Sequence, residues 1–173
     1  MSEHHETRVA NARLKIRPAR SSDARGILEA HRSAVRETAV RDYPPEVIEI
    51  WGPPVTDERV QWYAQGPLLQ ETTVVAEIDG HIAGFGVIIE SNNELRAVYV
   101  AHKYGKQGVG SALLQELERL ARERGCKELA MDSSLTAEAF YLHHGFQALE
   151  RGEHPMSDTG RTMACVRMRK VLA

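Results

Sequence analysis

The stretch of this sequence richest in chemical suggestion is a glycine-rich turn, Tyr104-Gly105-Lys106-Gln107-Gly108-Val109-Gly110-Ser111, standing just before an amphipathic run. Such a turn lets successive backbone N–H groups converge at a helix N-terminus, where the helix dipole favours negative charge, so it suits a phosphate or pyrophosphate. Glycines serve there because a Cβ would hold the anion away from the backbone. Spacing then separates the phosphate ligands. A P-loop needs Lys and then Ser or Thr after its last Gly, whereas here Ser111 follows Gly110 directly and Lys106 precedes it. A dinucleotide turn needs a third Gly where Leu113 stands. Both nucleotide readings fail, and the remaining Gly-x-Gly by itself also fits an ordinary tight turn.

Other groups with chemistry to offer lie on either side of that turn. Glu94 opens an apolar strand-like run, although a Glu beside Asn92 and Asn93 is also a common solvated turn residue. Tyr141 sits in a second motif, Ala137, Phe140-Tyr141 and Gly145-Phe146, and its plain alternative is a buried aromatic whose hydroxyl needs some partner. His143 and His144 follow it, but adjacent helix residues point about 100° apart, so both cannot face one reacting atom. No Ser-His-Asp order and no metal-ligand spacing stands out, and the His4-His5 pair reads as solvated; no metal is expected.

Taken together, the two motifs resemble the GNAT superfamily of N-acetyltransferases. Gly108 and Gly110 match the small positions of its hallmark turn, Arg or Gln, two residues, Gly, one residue, Gly or Ala, while Gly105 stands where the family usually has Arg or Gln. Ala137, Phe140, Tyr141, Gly145 and Phe146 match its A-x-x-F-Y-x-x-x-G-F pattern in the expected order. The resemblance implies an α/β GNAT fold: a mixed central sheet of about six to seven strands with a splayed parallel pair, flanked by about four helices. It implies acetyl-CoA as cosubstrate, with the pantetheine against Val98, Tyr99 and Val100 and the pyrophosphate on the backbone of Lys106, Gln107, Gly108, Val109, Gly110 and Ser111. Ser134 stands where many relatives have Asn and would bond the cofactor or a water; its alternative is capping the helix near Thr136.

The resemblance also distributes catalytic roles. Tyr141 becomes the donor to the departing coenzyme A sulfur, and the Val98 N–H polarises the acetyl carbonyl. An ammonium of pKa about 10.4 costs roughly 4 to 5 kcal/mol to deprotonate at neutral pH, so a base or a pKa-lowering pocket is required. Glu94 matches the glutamate base of the histone-acetylating members; a water-relayed route through other polar groups is the alternative. Three functions fit: an N-acetyltransferase acting on a small primary amine by direct attack, a protein or peptide acetylase, and a non-catalytic acyl-CoA-binding module.

Periodicity supplies the elements that must hold these residues. Arg13 to Ala19 alternates as a strand, and Ala24, Ile27, Leu28, His31 and Val35 form one helix face, with His31 read as a packed core histidine. Asp42 to Gly66 is irregular, with short helices through Ile50 and Trp51 and from Thr56 to Gln65; Trp51, Trp62 and Tyr43 either pack a lid or line an apolar pocket. Asp79-Gly80 between Thr72 to Ile78 and His81 to Ile89 predicts a hairpin. Leu95 to Ala101, Gly108 to Arg124 and Glu128 to Asp132 form a β-α-β unit, followed by a helix from Thr136 to His144 and strands near Gln147 to Arg151 and Thr162 to Lys170.

The 173 residues fit one domain over 13–173 behind a loose polar tail over 1–12 that lacks an apolar signal core. A hydrophobic share of 42% and a charged share of 27% describe a globular chain, and no run reaches the roughly 20 apolar residues of a membrane span. The net charge of −2 argues against nucleic acid as a partner. Cys126 and Cys165 stand in apolar segments, which points to a reducing cytoplasm. The expected partners are acetyl-CoA and a small amine, with a homodimer left open.

Overall fold

Asp79 and Gly80 both take positive φ, 51° and 81°, the pair of left-handed positions that a two-residue hairpin requires. They join β2 (Thr72–Ile78) to β3 (His81–Ile89), and the β-branched run of β2 fills the sheet interior. Around this hairpin the computed structural model, which describes residues 13–172, builds one seven-stranded sheet. Its remaining strands are β1 (Leu14–Pro18), β4 (Glu94–Val100), β5 (Glu128–Ser134), β6 (Gln147–Pro155) and β7 (Thr162–Val171), in the order β1-β2-β3-β4-β5-β7-β6. All neighbours are antiparallel except β4 and β5. The tail expected over 1–12, with His4 and His5, lies outside the described residues.

Among the described residues the helices are α1 (Ala24–Ser33), α2 (Pro45–Trp51), α3 (Asp57–Gln65), the single turn α4 (Pro67–Gln70), α5 (Val109–Glu123) and α6 (Glu138–His143). On one face of the sheet, α5 buries Leu113, Leu114, Leu117 and Ala121 against Val74, Ile88, Leu95 and Leu129, and α6 adds Tyr141 to this core. On the other face, Ile27 and Leu28 of α1 and Tyr63 of α3 pack on Val75, Phe85 and Val87. The irregular segment expected after α1 carries a third cluster, with Val35, Tyr43 and Ile48 set against Met156 and Met163. Two helix ends follow glycine geometry: Gly125 (φ 83°) closes α5 and Gly145 (φ 88°) closes α6. The helix expected from Thr136 begins only at Glu138, because the Ser134 side chain first holds a turn. No helix among the described residues is long and apolar enough to cross a membrane.

Candidate active site

β4 and β5 run parallel yet are registered only at Glu94 and Ala130, where the Ala130 N–H donates to the Asn93 carbonyl at 2.8 Å. Past that point each strand keeps its outer partner: β4 stays paired with β3 to Val100, and β5 with β7 to Ser134. Val98 and Val100 therefore present peptide groups toward β5 with no strand to pair with, in the middle of a sheet, while those of Tyr99 between them face β3. Interior backbone left open in this way calls for a bound partner or water. This is the splayed pair that the sequence resemblance implied.

A bulge sorts the side chains along β4. Val87 opposes Ala97 and Ile88 opposes Leu95, so Arg96 is the inserted residue. Leu95, Val98 and Val100 consequently pack toward α5, while Tyr99 turns to the opposite face and joins Glu94 and Arg96 along a cavity. No local pattern signals the bulge, which exists only through the pairing of β4 with β3.

At the far end of the gap, α5 begins without a side-chain cap. Gly108 takes φ 82°, and Lys106 before it also takes positive φ, 60°. The first helical bond is Ala112 N–H to the Gly108 carbonyl at 3.1 Å, which leaves the preceding N–H groups of the helix start without intrahelical acceptors. Gly110 answers a packing demand: a Cβ there would stand 3.3 Å from the Phe140 ring and 3.6 Å from Val100. Gly105 has ordinary extended backbone (φ −61°, ψ 151°), so its missing side chain is not a conformational necessity. Gln107 donates to the Lys103 carbonyl at 3.3 Å. The Ser111 hydroxyl is engaged by His144 Nε2 at 3.0 Å, so what Ser111 offers an anion is its backbone.

The second motif is a clamp around Tyr141. Phe140 meets Gly110, and its ring lies 5.1 Å from that of Tyr141; Phe146 packs on the other side at 5.4 Å. Gly145 permits the helix-ending pair of bonds from Phe146 N–H to the Tyr141 carbonyl (3.0 Å) and from Gly145 N–H to the Leu142 carbonyl (3.2 Å). Tyr141 is only 3% exposed, and burial, with the Tyr99 hydroxyl adding to it, pushes its pKa well above the usual phenol range. It is thus a neutral hydroxyl at any physiological pH. His144 bonds Ser111 and accepts Lys170 Nζ at 2.7 Å on its carbonyl, which braces the end of α6.

Opposite α5 the gap faces a cavity of about 920 Å³. Trp51 and Trp62 line it; Tyr43 instead is a strut, donating to the Ala164 carbonyl (2.6 Å) and accepting from the Leu135 N–H (2.8 Å). Trp51 Nε1 donates to the Tyr99 hydroxyl at 3.2 Å, and His31 meets the Tyr99 ring edge-on at 4.7 Å. Burial pushes Tyr99 up to about 12 and His31 down to about 4, the latter helped by the charge of Arg59. Glu94 faces this cavity but is paired with Arg96 at 3.1 Å, and Arg96 also holds Glu71 at 2.8 Å. Ser134 lines the cavity too, and its hydroxyl accepts the Ala137 N–H at 3.2 Å, a bond that holds the turn before α6, which itself begins without a side-chain cap.

Sequence reasoning missed three polar groups here. His154 Nδ1 lies 2.8 Å from Asp132 Oδ2, and Arg59 stands at the start of α3. Asp132 and His154 lie 22 residues apart on β5 and β6 and meet only because the chain returns through β7, a pairing no local pattern encodes. Among the described residues no cluster of three or more His, Cys, Asp or Glu is placed to hold a metal ion.

Known proteins share this arrangement. Residues 32–146 match the family model described as Acetyltransferase (GNAT) family. The chain is 30% identical over 138 residues to an uncharacterized N-acetyltransferase, YafP, of Escherichia coli K12, covering 80% of this chain and 84% of that protein. Among solved structures, a GCN5-related N-acetyltransferase from Rhodopseudomonas palustris superposes with a TM-score of 0.81 at 26% identity, covering 91% of this chain and 94% of that one. The putative acetyltransferase yncA from Salmonella typhimurium, solved with acetyl-CoA, gives 0.66 at 25% identity over 93% and 95% of the two chains. With a splayed parallel pair, an uncapped glycine turn and a clamped tyrosine all in the family's order, and a family model matched from α1 to Phe146, the chain belongs to the GNAT family of acetyltransferases.

Proposed function

We propose that this chain, as one domain over 13–173, moves the acetyl group of acetyl-CoA directly to the primary amine of a small molecule, with Tyr141 as general acid. The observation that carries this reading is the state of Tyr141: a buried, neutral hydroxyl clamped between Phe140 and Phe146, with no charged or hydrogen-bonding partner of its own among the described residues to hold it. Acetyl-CoA in the gap would lay its pantetheine along the open edge of Val98, Tyr99 and Val100. Its pyrophosphate would meet the backbone from Lys106 through Gln107, Gly108, Val109 and Gly110 to Ser111, with Ser134 near the acyl end. That the yncA protein was solved with acetyl-CoA supports acetyl-CoA as the ligand.

In the reaction the amine nitrogen bonds to the acetyl carbon, the Val98 N–H steadies the carbonyl oxygen, and the carbon–sulfur bond breaks as Tyr141 protonates the sulfur; the proton shed by the newly acylated nitrogen then restores the Tyr141 hydroxyl. The amine must first lose a proton into the cavity. Glu94 faces that space, but a proton accepted there would weaken its pair with Arg96. His154, aligned by Asp132 at 2.8 Å, is the second candidate base, since an imidazole is suited to proton transfer near neutrality. A cavity of about 920 Å³ is of small-molecule size, which favours a small amine over a protein acceptor or a non-catalytic module.

Release of coenzyme A across a panel of amines tests the scheme. Tyr141→Phe should lower kcat by about 10²- to 10⁴-fold, and turnover as fast as the parent with chemistry rate-limiting removes Tyr141 as the acid. Glu94→Gln and His154→Gln distinguish the bases: the variant that abolishes the acid limb of the pH–rate profile identifies the proton acceptor.

A further inference from the structure

Three guanidinium groups line the acceptor cavity, and two of them are neutralised. Arg96 holds Glu94 and Glu71, while Arg167 holds Glu150 at 3.0 Å and lies 3.9 Å from Asp132. Arg59 differs. Its Nη1 donates to the Pro54 carbonyl at 2.7 Å and to the Pro53 carbonyl at 3.4 Å, and among the described residues it has no carboxylate within ion-pair distance. Peptide carbonyls orient a guanidinium without cancelling its charge, and they engage one nitrogen, leaving the other donors of the fork for a ligand.

The local sequence fixes this group in place. Thr56 caps α3 by accepting the Arg59 N–H at 3.2 Å, and Gly52-Pro53-Pro54 sets the two carbonyls on the other side. Trp62, one helical turn beyond Arg59, also lines the cavity and is 63% exposed. Residues at i and i+3 share a helix face, so α3 presents a fixed cation beside a large apolar plate. Trp51 lines the same cavity from α2.

We infer that the acceptor is an amine that also carries a carboxylate, of the amino-acid type with an apolar or aromatic side chain, its carboxylate bound by Arg59 and its side chain laid against Trp62. The inference rests on the acetyltransferase reading and gives that reaction its substrate class. Charge-assisted, two-pronged binding of a carboxylate by a preorganised arginine is among the stronger polar contacts available to a small ligand. No other cavity cation is free to make it, since binding at Arg96 or Arg167 would have to displace a carboxylate already in place.

The test is coenzyme A release with matched acceptors that differ only at the carboxylate: tryptophan, tryptophan amide and tryptamine, with the same three forms of phenylalanine and leucine. In the parent protein the acids should exceed their amides and amines in kcat/KM by roughly tenfold to a hundredfold, the scale of one charged hydrogen-bonded contact. Arg59→Gln should bring the acid-to-amide ratio toward one, chiefly through KM, and Arg59→Lys should retain part of it. Amides or amines turned over as well as the acids would overturn the inference while leaving the acetyltransferase reading intact. An acid preference that survives Arg59→Gln would overturn Arg59 as its source. No turnover of any acceptor, with acetyl-CoA still raising the unfolding temperature, would overturn both substrate class and catalysis while sparing cofactor binding.

Discussion

His31 shows how a single residue couples the cavity to the stability of the fold. Its half-buried imidazole meets Tyr99 edge-on, and desolvation pushes it down to about 4 in the folded chain, against 6.5 when free. Between those values only the unfolded chain binds the proton, so stability rises with pH there. The contribution is full above about pH 6.5, falls as the pH drops toward about 4, and falls no further below it. Its size is on the order of 3 kcal/mol. Denaturant unfolding at a series of pH values should therefore give a shallower acid slope for His31→Phe, which keeps the ring edge on Tyr99, than for the parent. Equal slopes would show that His31 does not carry the effect. The sequence placed His31 on a buried helix face, and that was legible because Ile27, Leu28 and Val35 repeat at helical spacing around it. Its contact with Tyr99 was not, since it joins residues 68 positions apart.

At the scale of elements, α5 and the clamp behind it would form the proposed anion cradle. Gly108→Ala forces a Cβ onto φ 82°, which costs about 1–2 kcal/mol. Its Cβ meets nothing within 4 Å, so the loss should appear as lower stability together with a raised KM for acetyl-CoA where the ligand would sit. Gly110→Ala acts differently: the Phe140 ring must yield by a few tenths of an ångström, and the disturbance passes to the neighbouring Tyr141. Steady-state kinetics should show Gly110→Ala lowering kcat as well as raising KM, whereas Gly108→Ala acts mainly on KM. Identical profiles for the two would argue against the clamp. These elements were legible because their rules are local: Asp79-Gly80 states the hairpin, the apolar stripe states α5, and Gly145 states the end of α6. The bulge at Arg96 and the extension of β6 to Pro155 depend on cross-strand partners, and β6 is mostly exposed and rich in charged residues, so no apolar alternation marks it.

For the whole molecule, the decisive feature is that β7 lies between β5 and β6. That order carries His154 to Asp132 and closes the cavity that α1, α2 and α3 cover from the other side. Motifs disclosed the family and pointed to the proposed cofactor end of the site, because backbone geometry there demands glycine at fixed spacing. The acceptor end is assembled from seven elements contributing one to a few residues each, and so it left no pattern to read. Both ends presuppose that the gap between β4 and β5 holds acetyl-CoA, and thermal unfolding with and without that ligand measures this most directly. At one hundred times its dissociation constant a ligand adds about 2.7 kcal/mol, which in a chain of this size is about 5–11 °C. The account predicts a rise of that order in the parent protein and a smaller one in Gly108→Ala at the same acetyl-CoA concentration. An unfolding temperature unmoved by saturating acetyl-CoA would contradict it.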